Sequence, residues 1–436
     1  MNPLLIRGGR IVDPSQNLDR IANLLCVDGL VHAIDPGPDQ LPEHLRTLDV
    51  QGHIVCPGLI DLGVELREPG FEEDETIASG CSAALAGGFT SILACSSTSP
   101  CIDSPGAVEF VRQKAIQTGL HQSSDHPMVR VHVIGCLSKD RDGEQLAELG
   151  LLREAGAVAF SDAPRPITND ALLKRALEYA GMFNVPVLNR PNVMTLSRGG
   201  VMHSGRVSLI LGLRGLPTEA EDLAVARDVR MAEATSGRLH IGPVSTMGAI
   251  DLIRRVKRRG IKVTASACPH NLSQDDNELR SFDSKFKVHP PLRSRRHIDA
   301  LVAAIADGTI DAIQSGHMPR AREKKMNDLD QSPFGLASLE TTLASTATLL
   351  IKTGQMDWSA AIERLSTAPA RIAGIPGGSL AVGQAADIAV IDPEANWTVS
   401  GQKFASLCPS TPLDGLNLTS RVEHTIVAGK VWSRGG

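Results

Sequence analysis

Histidines and carboxylates are the residues of this chain that would carry metal-assisted hydrolysis. A hydrolytic zinc site needs three or four convergent His, Cys or carboxylate ligands and keeps one position open for water. The thirteen histidines include no H-x-H and no H-x-x-x-H spacing. His270 and His317 are the two that follow predicted strands, and Glu65 and Asp162 are acids in equivalent places. The sequence therefore offers few donors for a metal site.

Signals for other chemistries are weak. Gly87-Gly88 precedes a predicted strand, which is typical of a helix end and not of a phosphate-binding loop. The Ser96–Ser99 run has no neighbouring histidine, and no G-x-S-x-G motif occurs. Forty-four Lys and Arg against forty-nine Asp and Glu give a net charge of −5. This balance does not favour a nucleic-acid partner.

The positions of these candidate residues in the fold follow from the predicted secondary structure. Short apolar runs alternate with helix-length amphipathic stretches through the middle of the chain. Eight such runs, each followed by a candidate helix, predict a (β/α)8 TIM barrel, in which functional groups lie at the carboxyl ends of the strands. A doubly wound sheet is the alternative. The predicted strands are Leu59–Leu66, Phe89–Cys95, Val129–Leu137, Ala157–Ser161, Val185–Asn189, Arg238–Val244, Lys262–Cys268 and Ile310–Gln314.

The two ends of the chain show a different pattern of predicted secondary structure. Short predicted strands separated by Gly-containing turns occupy the first fifty-odd and the last sixty residues. We expect residues 1–55 and 377–436 to form one small β-sandwich, and residues 56–376 to form the barrel.

Cysteine usage and hydropathy bear on location. The eight cysteines are dispersed without a C-x-x-C pair, which is typical of reduced thiols in a cytoplasmic protein. No signal-peptide pattern opens the chain, and no run of 18 apolar residues occurs. A cytoplasmic protein without a membrane segment is expected.

Several motifs resemble those of one family. The run IVCPGLIDLGVELREPGFEEDETIASG (Ile54–Gly80) is similar to the opening D-x-H-x-H-x-R-E-P-G signature of the dihydroorotases, which are amidohydrolase-superfamily barrels. Similar segments follow in family order over nearly the whole chain, among them VAFSD (Val158–Asp162), KVHPPLR (Lys287–Arg293), SGHMP (Ser315–Pro319) and LAVGQAADIAVIDP (Leu380–Pro393). The resemblance implies the barrel together with the terminal β-sandwich.

The resemblance also implies a zinc-dependent cyclisation of N-carbamoyl-aspartate to dihydroorotate, but its catalytic positions are replaced here. Six positions are replaced, and in the family they carry the metal-binding histidines, the catalytic aspartate and a further motif histidine. Of the residues found there in this chain, only Glu65 could still bind a metal ion, as a single carboxylate. These replaced positions are Gly63, Glu65, Arg190, Pro243, Gly316 and Arg320.

Three family positions retain a polar group. Arg67 matches the arginine that grips the substrate carboxylate, and a structural anchor for its loop is an equal alternative. Ser97 stands at the position of a substrate-binding asparagine, and Asp162 matches an acidic metal-ligand position. We expect Arg190 to neutralise Asp162 or Glu65 in place of a metal ion, because buried carboxylates need a partner.

The resemblance points to noncatalytic dihydroorotase-like subunits that partner aspartate transcarbamoylase, usually as a dodecamer of six chains of each kind. The chain is thus expected to be a pseudoenzyme without metal or cofactor, which activates aspartate transcarbamoylase chains in pyrimidine biosynthesis. Self-association of the chain is left open. Two alternatives stay open. One is an active cyclic amidohydrolase with an unusual metal set such as Asp162, His270 and His317, and the other is a regulatory binder of an anionic pyrimidine or nucleotide held by Arg67, Arg190 and Arg320.

Overall fold

A computed structural model of the chain describes residues 3–120 and 126–435. Strands and helices alternate through the middle of the chain, and strands predominate at both ends. The strands are β1 (Leu4–Asp13), β2 (Leu18–Val27), β3 (Leu30–Ile34), β4 (Arg46–Asp49), β5 (Ile54–Pro57), β6 (Leu59–Val64), β7 (Phe89–Ala94), β8 (Arg130–Gly135), β9 (Ala157–Phe160), β10 (Val187–Asn189), β11 (Met202–His203), β12 (Gly215–Leu216), β13 (Leu239–Ile241), β14 (Val263–Ala267), β15 (Ala312–Ile313), β16 (Ile388–Thr398), β17 (Asn417–Val427) and β18 (Lys430–Ser433).

The longer helices follow the barrel strands and cover the outer face, and several short helices lie in the loops. They are α1 (Ile77–Ala86), α2 (Pro105–Leu120), α3 (Leu149–Glu154), α4 (Asp170–Met182), α5 (Met194–Ser197), α6 (Arg206–Leu211), α7 (Thr218–Thr235), α8 (Met247–Arg258), α9 (His270–Ser273), α10 (Arg295–Ala306), α11 (Arg322–Lys325), α12 (Thr342–Thr346), α13 (Trp358–Ile362) and α14 (Ala368–Ala373). In the described part of the chain, none of them is both long and apolar enough to cross a membrane.

The barrel is one parallel sheet of eight strands in the order β15-β14-β13-β10-β9-β8-β7-β6. Each of the eight predicted apolar runs contains one of these strands, so the predicted (β/α)8 fold is confirmed. The strands are almost completely buried because helices cover one side and side chains from neighbouring strands fill the interior. Their carboxyl ends meet at one mouth.

A buried aspartate joins the first strand of this sheet to the last. The Asp61 carboxylate in β6 accepts the backbone N–H of Ser315, just beyond β15, at 2.6 Å and that of Gly63 at 2.9 Å. The backbone N–H of Glu65 also donates to the carbonyl of His317 at 3.1 Å. Burial raises the pKa of Asp61 above its usual value. These bonds bring the loops after β6 and β15 together at the mouth.

The terminal segments pair with each other, as expected, in one connected eight-stranded sheet. β5 is central, since it runs parallel to β1 and antiparallel to β16. β1 is a single strand with an irregularity in its pairing between Ile6 and Gly9. β4 is an additional strand that the sequence did not indicate, because it is largely exposed and lacks an apolar run.

Candidate active site at the barrel mouth

The mouth of the barrel holds a small cavity that opens into a wider cleft. The inner cavity is about 60 Å³, and its lining includes Glu65, Cys95, Arg190 and His317. The outer cleft is about 550 Å³ and shares Pro164, Arg190 and Met318 with the inner cavity. Arg190 therefore lies where the outer cleft and the inner cavity meet.

Glu65 is held between two arginines. Its Oε2 accepts hydrogen bonds from Arg67 at 3.1 Å and from Arg320 at 3.2 Å, and all three side chains are nearly inaccessible to solvent. Arg67 also pairs with Asp74 at 3.1 Å and stacks on the Phe71 ring at 4.2 Å. The Arg67 guanidinium is thus bound to two acids, which corresponds to the anchoring alternative for this residue.

Asp74 extends this charged cluster towards the surface. Its carboxylate accepts the backbone N–H of Ala321 and the ammonium of Lys324, both at 2.8 Å. Burial alone would raise the pKa of Asp74, but these two hydrogen bonds and the neighbouring Arg320 and Arg67 hold it below its usual value. Lys324 also pairs with Glu73 at 2.7 Å, so the cluster holds three acids and three basic groups, and it fixes the loops after β6 and β15.

Arg190 does not pair with Glu65 or Asp162, so that expectation is wrong. One of its terminal nitrogens donates to the backbone carbonyl of His289, and among the described residues no carboxylate lies within 4.0 Å of its guanidinium. Asp162 already has its own hydrogen-bond donors, and Glu65 is shared by Arg67 and Arg320. Arg67 and Arg320 therefore take the neutralising role that we expected of Arg190.

Asp162 and Ser97 are not among the residues that line the inner cavity. The Asp162 carboxylate accepts the backbone N–H groups of Leu137 at 2.9 Å and Ser138 at 3.0 Å, and the Ser138 hydroxyl at 2.5 Å. Burial raises the pKa of Asp162. Ser97 contacts Arg67 through its carbonyl oxygen at 3.4 Å. Both residues organise loops at the mouth.

The two strand-end histidines differ in their surroundings. His317 accepts the backbone N–H of Ser338 on Nδ1 at 3.2 Å, and its Nε2 lies 3.4 Å from Glu75. His270 is buried, and neither of its ring nitrogens has a hydrogen-bond partner. Burial and the nearby Arg190 lower the pKa of His270 to about 3. His270 is consequently neutral.

The glycines at the mouth differ in the space around them. A Cβ on Gly316 would lie 2.7 Å from Sγ of Cys268, and the φ of Gly316 is +68°, so a side chain at this position would require Cys268 to shift. A Cβ on Gly63 would meet Sγ of Cys95 at an ordinary 3.6 Å. Pro243 lines the cavity without a donor atom in its side chain.

These residues do not fit a zinc ion. Gly63, Pro243 and Gly316 offer no ligand atom, Oε2 of Glu65 is held by two arginines, and His270 adjoins a cation. The proposed set of Asp162, His270 and His317 is not assembled, since Asp162 and His317 are engaged elsewhere. Within residues 3–120 and 126–435, the group of three close potential ligands is Cys101, Asp103 and Asp140, which do not line the cavity.

Sequence reasoning missed four residues that organise the site: Asp61, Asp74, Glu75 and His289. Three of them lie inside the recognisable opening signature, in DLGVELREPGFEEDET, so the run of acids was an available signal. Glu75 is fully buried against His317, and its carboxylate also accepts hydrogen bonds from Ser79 and Ser406. Their importance depends on contacts far apart in sequence, which no local pattern shows.

Comparisons with known proteins agree with this architecture. A family model described as Dihydro-orotase-like matches residues 52–248. The chain is 60% identical to a "Putative dihydroorotase" of Rhodopirellula baltica over 98% of this chain and 92% of that protein. It is 41% identical to the dihydroorotase of Pelotomaculum thermopropionicum, over 98% of both chains. The fold is similar to that of the L-hydantoinase from Arthrobacter aurescens, with a TM-score of 0.87, 22% identity and coverage of 100% of this chain and 97% of that one.

These relatives overturn one expectation from the sequence. We expected a protein that is not an enzyme, but full-length relatives at 40–60% identity are named dihydroorotase. That expectation came from the replaced family positions. They show which ligand atoms the pocket contains, but they do not decide whether the protein is active. The full-length identity and the shared architecture establish that the chain belongs to the dihydroorotase-like family of the amidohydrolase superfamily.

Proposed function

We propose that this chain is a dihydroorotase-type cyclic amidohydrolase that opens and closes a cyclic ureide in the cavity at the barrel mouth. Full-length identity of 40–60% to proteins named dihydroorotase carries the proposal. The position of the cavity supports it, because barrels of this kind place their chemistry at the carboxyl ends of the strands.

Glu65 is the group we assign to proton transfer. It is the carboxylate that lines the inner cavity, and opening a cyclic amide requires a base to take a proton from the attacking water. Its two arginine partners contact one oxygen, Oε2, and no contact within hydrogen-bond distance is found at Oε1 in the described residues. Oε1 is therefore available to a water molecule or substrate.

The donor set limits the rate that this site can reach. A general base contributes about 10²–10⁴-fold, and the residues of the pocket provide no place for a metal ion that would add a Lewis acid. We therefore expect slow turnover compared with a zinc-dependent amidohydrolase.

The test is interconversion of N-carbamoyl-aspartate and dihydroorotate by the purified chain, followed in both directions. The proposal predicts turnover that falls at least 100-fold in Glu65→Gln. Glu109→Gln is the matched control, because Glu109 lies in an exposed ion pair with Arg112 on α2. No turnover by the unaltered chain, or equal turnover by the Glu65 variant, would contradict the proposal.

We further propose that the chain associates with aspartate transcarbamoylase catalytic chains in the cytoplasm, in an assembly of six chains of each kind. The support is the sequence resemblance, in which the replaced positions Gly63, Pro243 and Gly316 point to the subunits that partner this enzyme. All eight cysteines are free thiols, which suits a reducing compartment. Co-elution of the two chains, with a rise in transcarbamoylase activity on mixing, is expected. Separate elution with unchanged activity would exclude it.

A further inference from the structure

Arg190 is a buried cation without a counterion of its own. The residue is 7% exposed, and the nearby acid, Glu65, is already shared by Arg67 and Arg320. Burial lowers the pKa of Arg190, yet a guanidinium remains protonated in proteins. Cys95 and Cys268 are adjacent, but burial raises the pKa of both thiols, so neither supplies a negative charge. An unpaired buried charge is costly, and the site is therefore suited to an anion.

Unpaired polar nitrogens lie close to this cation. Nε of Arg190 is inaccessible to solvent and has no partner, and the same is true of both ring nitrogens of His270 and of Nδ1 of His289. Burial and Arg190 lower the pKa of both histidines, so each is neutral and carries one N–H. Buried polar groups are normally paired, which makes such a concentration of unpaired nitrogens a sign of a missing ligand.

The guanidinium of the site is accessible. Arg190 lines both the inner cavity and the outer cleft, and His289 lines the cleft, whereas His270 lies behind Gly316 of the cavity wall. A ligand thus reaches the guanidinium from solvent without displacing any strand or helix of the barrel.

We propose that Arg190, His270 and His289 form a receptor for the carboxylate group of a small organic acid. A planar, singly charged carboxylate matches one planar guanidinium in charge and shape, whereas a phosphate dianion would leave one charge uncompensated. The inference that the acid is a ureide rests on the proposed function. The inference that the site binds a carboxylate is independent of it.

The proposal is tested by calorimetric titration of the full chain with succinate, N-carbamoyl-aspartate and inorganic phosphate. Both acids bind the unaltered chain, and phosphate binds more weakly. Arg190→Gln weakens acid binding at least tenfold. The control is Arg198→Gln, which removes the same charge from an exposed position of the same cleft and changes binding less than twofold.

Thermal unfolding keeps the test decisive if a variant is altered in folding. Without ligand, the Tm of Arg190→Gln equals or exceeds that of the unaltered chain, because an uncompensated buried charge has been removed. Succinate raises the Tm of the unaltered chain and leaves that of Arg190→Gln unchanged. A second variant, Arg190→Lys, keeps the charge without the planar fork and binds with intermediate affinity.

The outcomes separate this receptor from the proposed function. Acid binding that is absent, that persists in Arg190→Gln, or that is weaker than phosphate binding overturns the receptor. Turnover with binding independent of Arg190 leaves the amidohydrolase proposal standing alone. If succinate binding depends on Arg190 but the chain shows no turnover, the receptor proposal is supported and the amidohydrolase proposal is contradicted.

Discussion

Glu65, at the end of the first barrel strand, accepts a hydrogen bond at 3.2 Å from Arg320, which follows the last barrel strand. The contact joins residues 255 positions apart in sequence, across the seam where the sheet closes. It places a guanidinium against one of the few carboxylates at the mouth. The barrel mouth is therefore an arginine-rich site. Its acids are paired with other residues of the mouth, and Arg190 has no carboxylate partner.

Removing the Glu65 carboxylate is expected to destabilise the protein. Glu65→Ala leaves Arg320 without its 3.2 Å partner and Arg67 with Asp74 alone, and breaking a buried ion pair costs about 3 kcal/mol. Chemical denaturation measures the change. Glu109→Ala, in an exposed pair, should cost less than about 1 kcal/mol. Equal effects of the two substitutions would refute the account of a buried bridging carboxylate.

Two glycines of the mouth should respond differently to one added methyl group. Gly316→Ala places a Cβ 2.7 Å from Sγ of Cys268 at a φ of +68°, so we expect a loss of about 2 kcal/mol or more. Gly63→Ala makes an ordinary 3.6 Å contact and should change the free energy of unfolding by less than about 1 kcal/mol. Comparable denaturation midpoints for the two variants would show that position 316 can accept a side chain.

Glu340 should make stability depend on pH near neutrality. Burial raises its pKa to about 7, while hydrogen bonds from the backbone of Ala405 and Ser406 oppose the rise. Because the folded pKa exceeds the unfolded value of about 4.3, the folded state binds the extra proton, and stability is lost as pH rises from about 4.3 to 7. The contribution is about 2 kcal/mol after allowance for partial exposure.

Glu340→Gln should remove that contribution. The difference in unfolding free energy between variant and unaltered chain should grow in favour of the variant between pH 5 and pH 8 and should vanish near pH 4. The exposed Glu394→Gln serves as control. A difference that does not change with pH would show that Glu340 titrates normally.

The fold was predictable from the sequence because its signals are local. Each barrel strand is a short apolar run, such as Phe89–Ala94, and each is followed by a helix-length stretch with its own end signals, such as the Thr246 cap of α8. The exposed strand Arg46–Asp49 was missed because it is held by pairing with β1 and not by its own composition.

The site was less predictable because its partners are set by loops that meet only in the closed barrel. Sequence alone indicated that Arg190 stands at a replaced family position, but it could not show that Arg320 would reach Glu65 first. Nor could it show that Asp162 would bind Ser138 and would not line the inner cavity. The sequence correctly predicted that buried carboxylates at the mouth would be neutralised. Which residues pair with them could be seen only in the structure.

The most direct test of the central claim is turnover of N-carbamoyl-aspartate and dihydroorotate by the chain after treatment with a chelator, with and without added zinc. The account predicts slow turnover that zinc changes less than twofold, with far less than one metal ion bound per chain. Turnover that appears only when one zinc ion binds per chain, or no turnover under either condition, would contradict it.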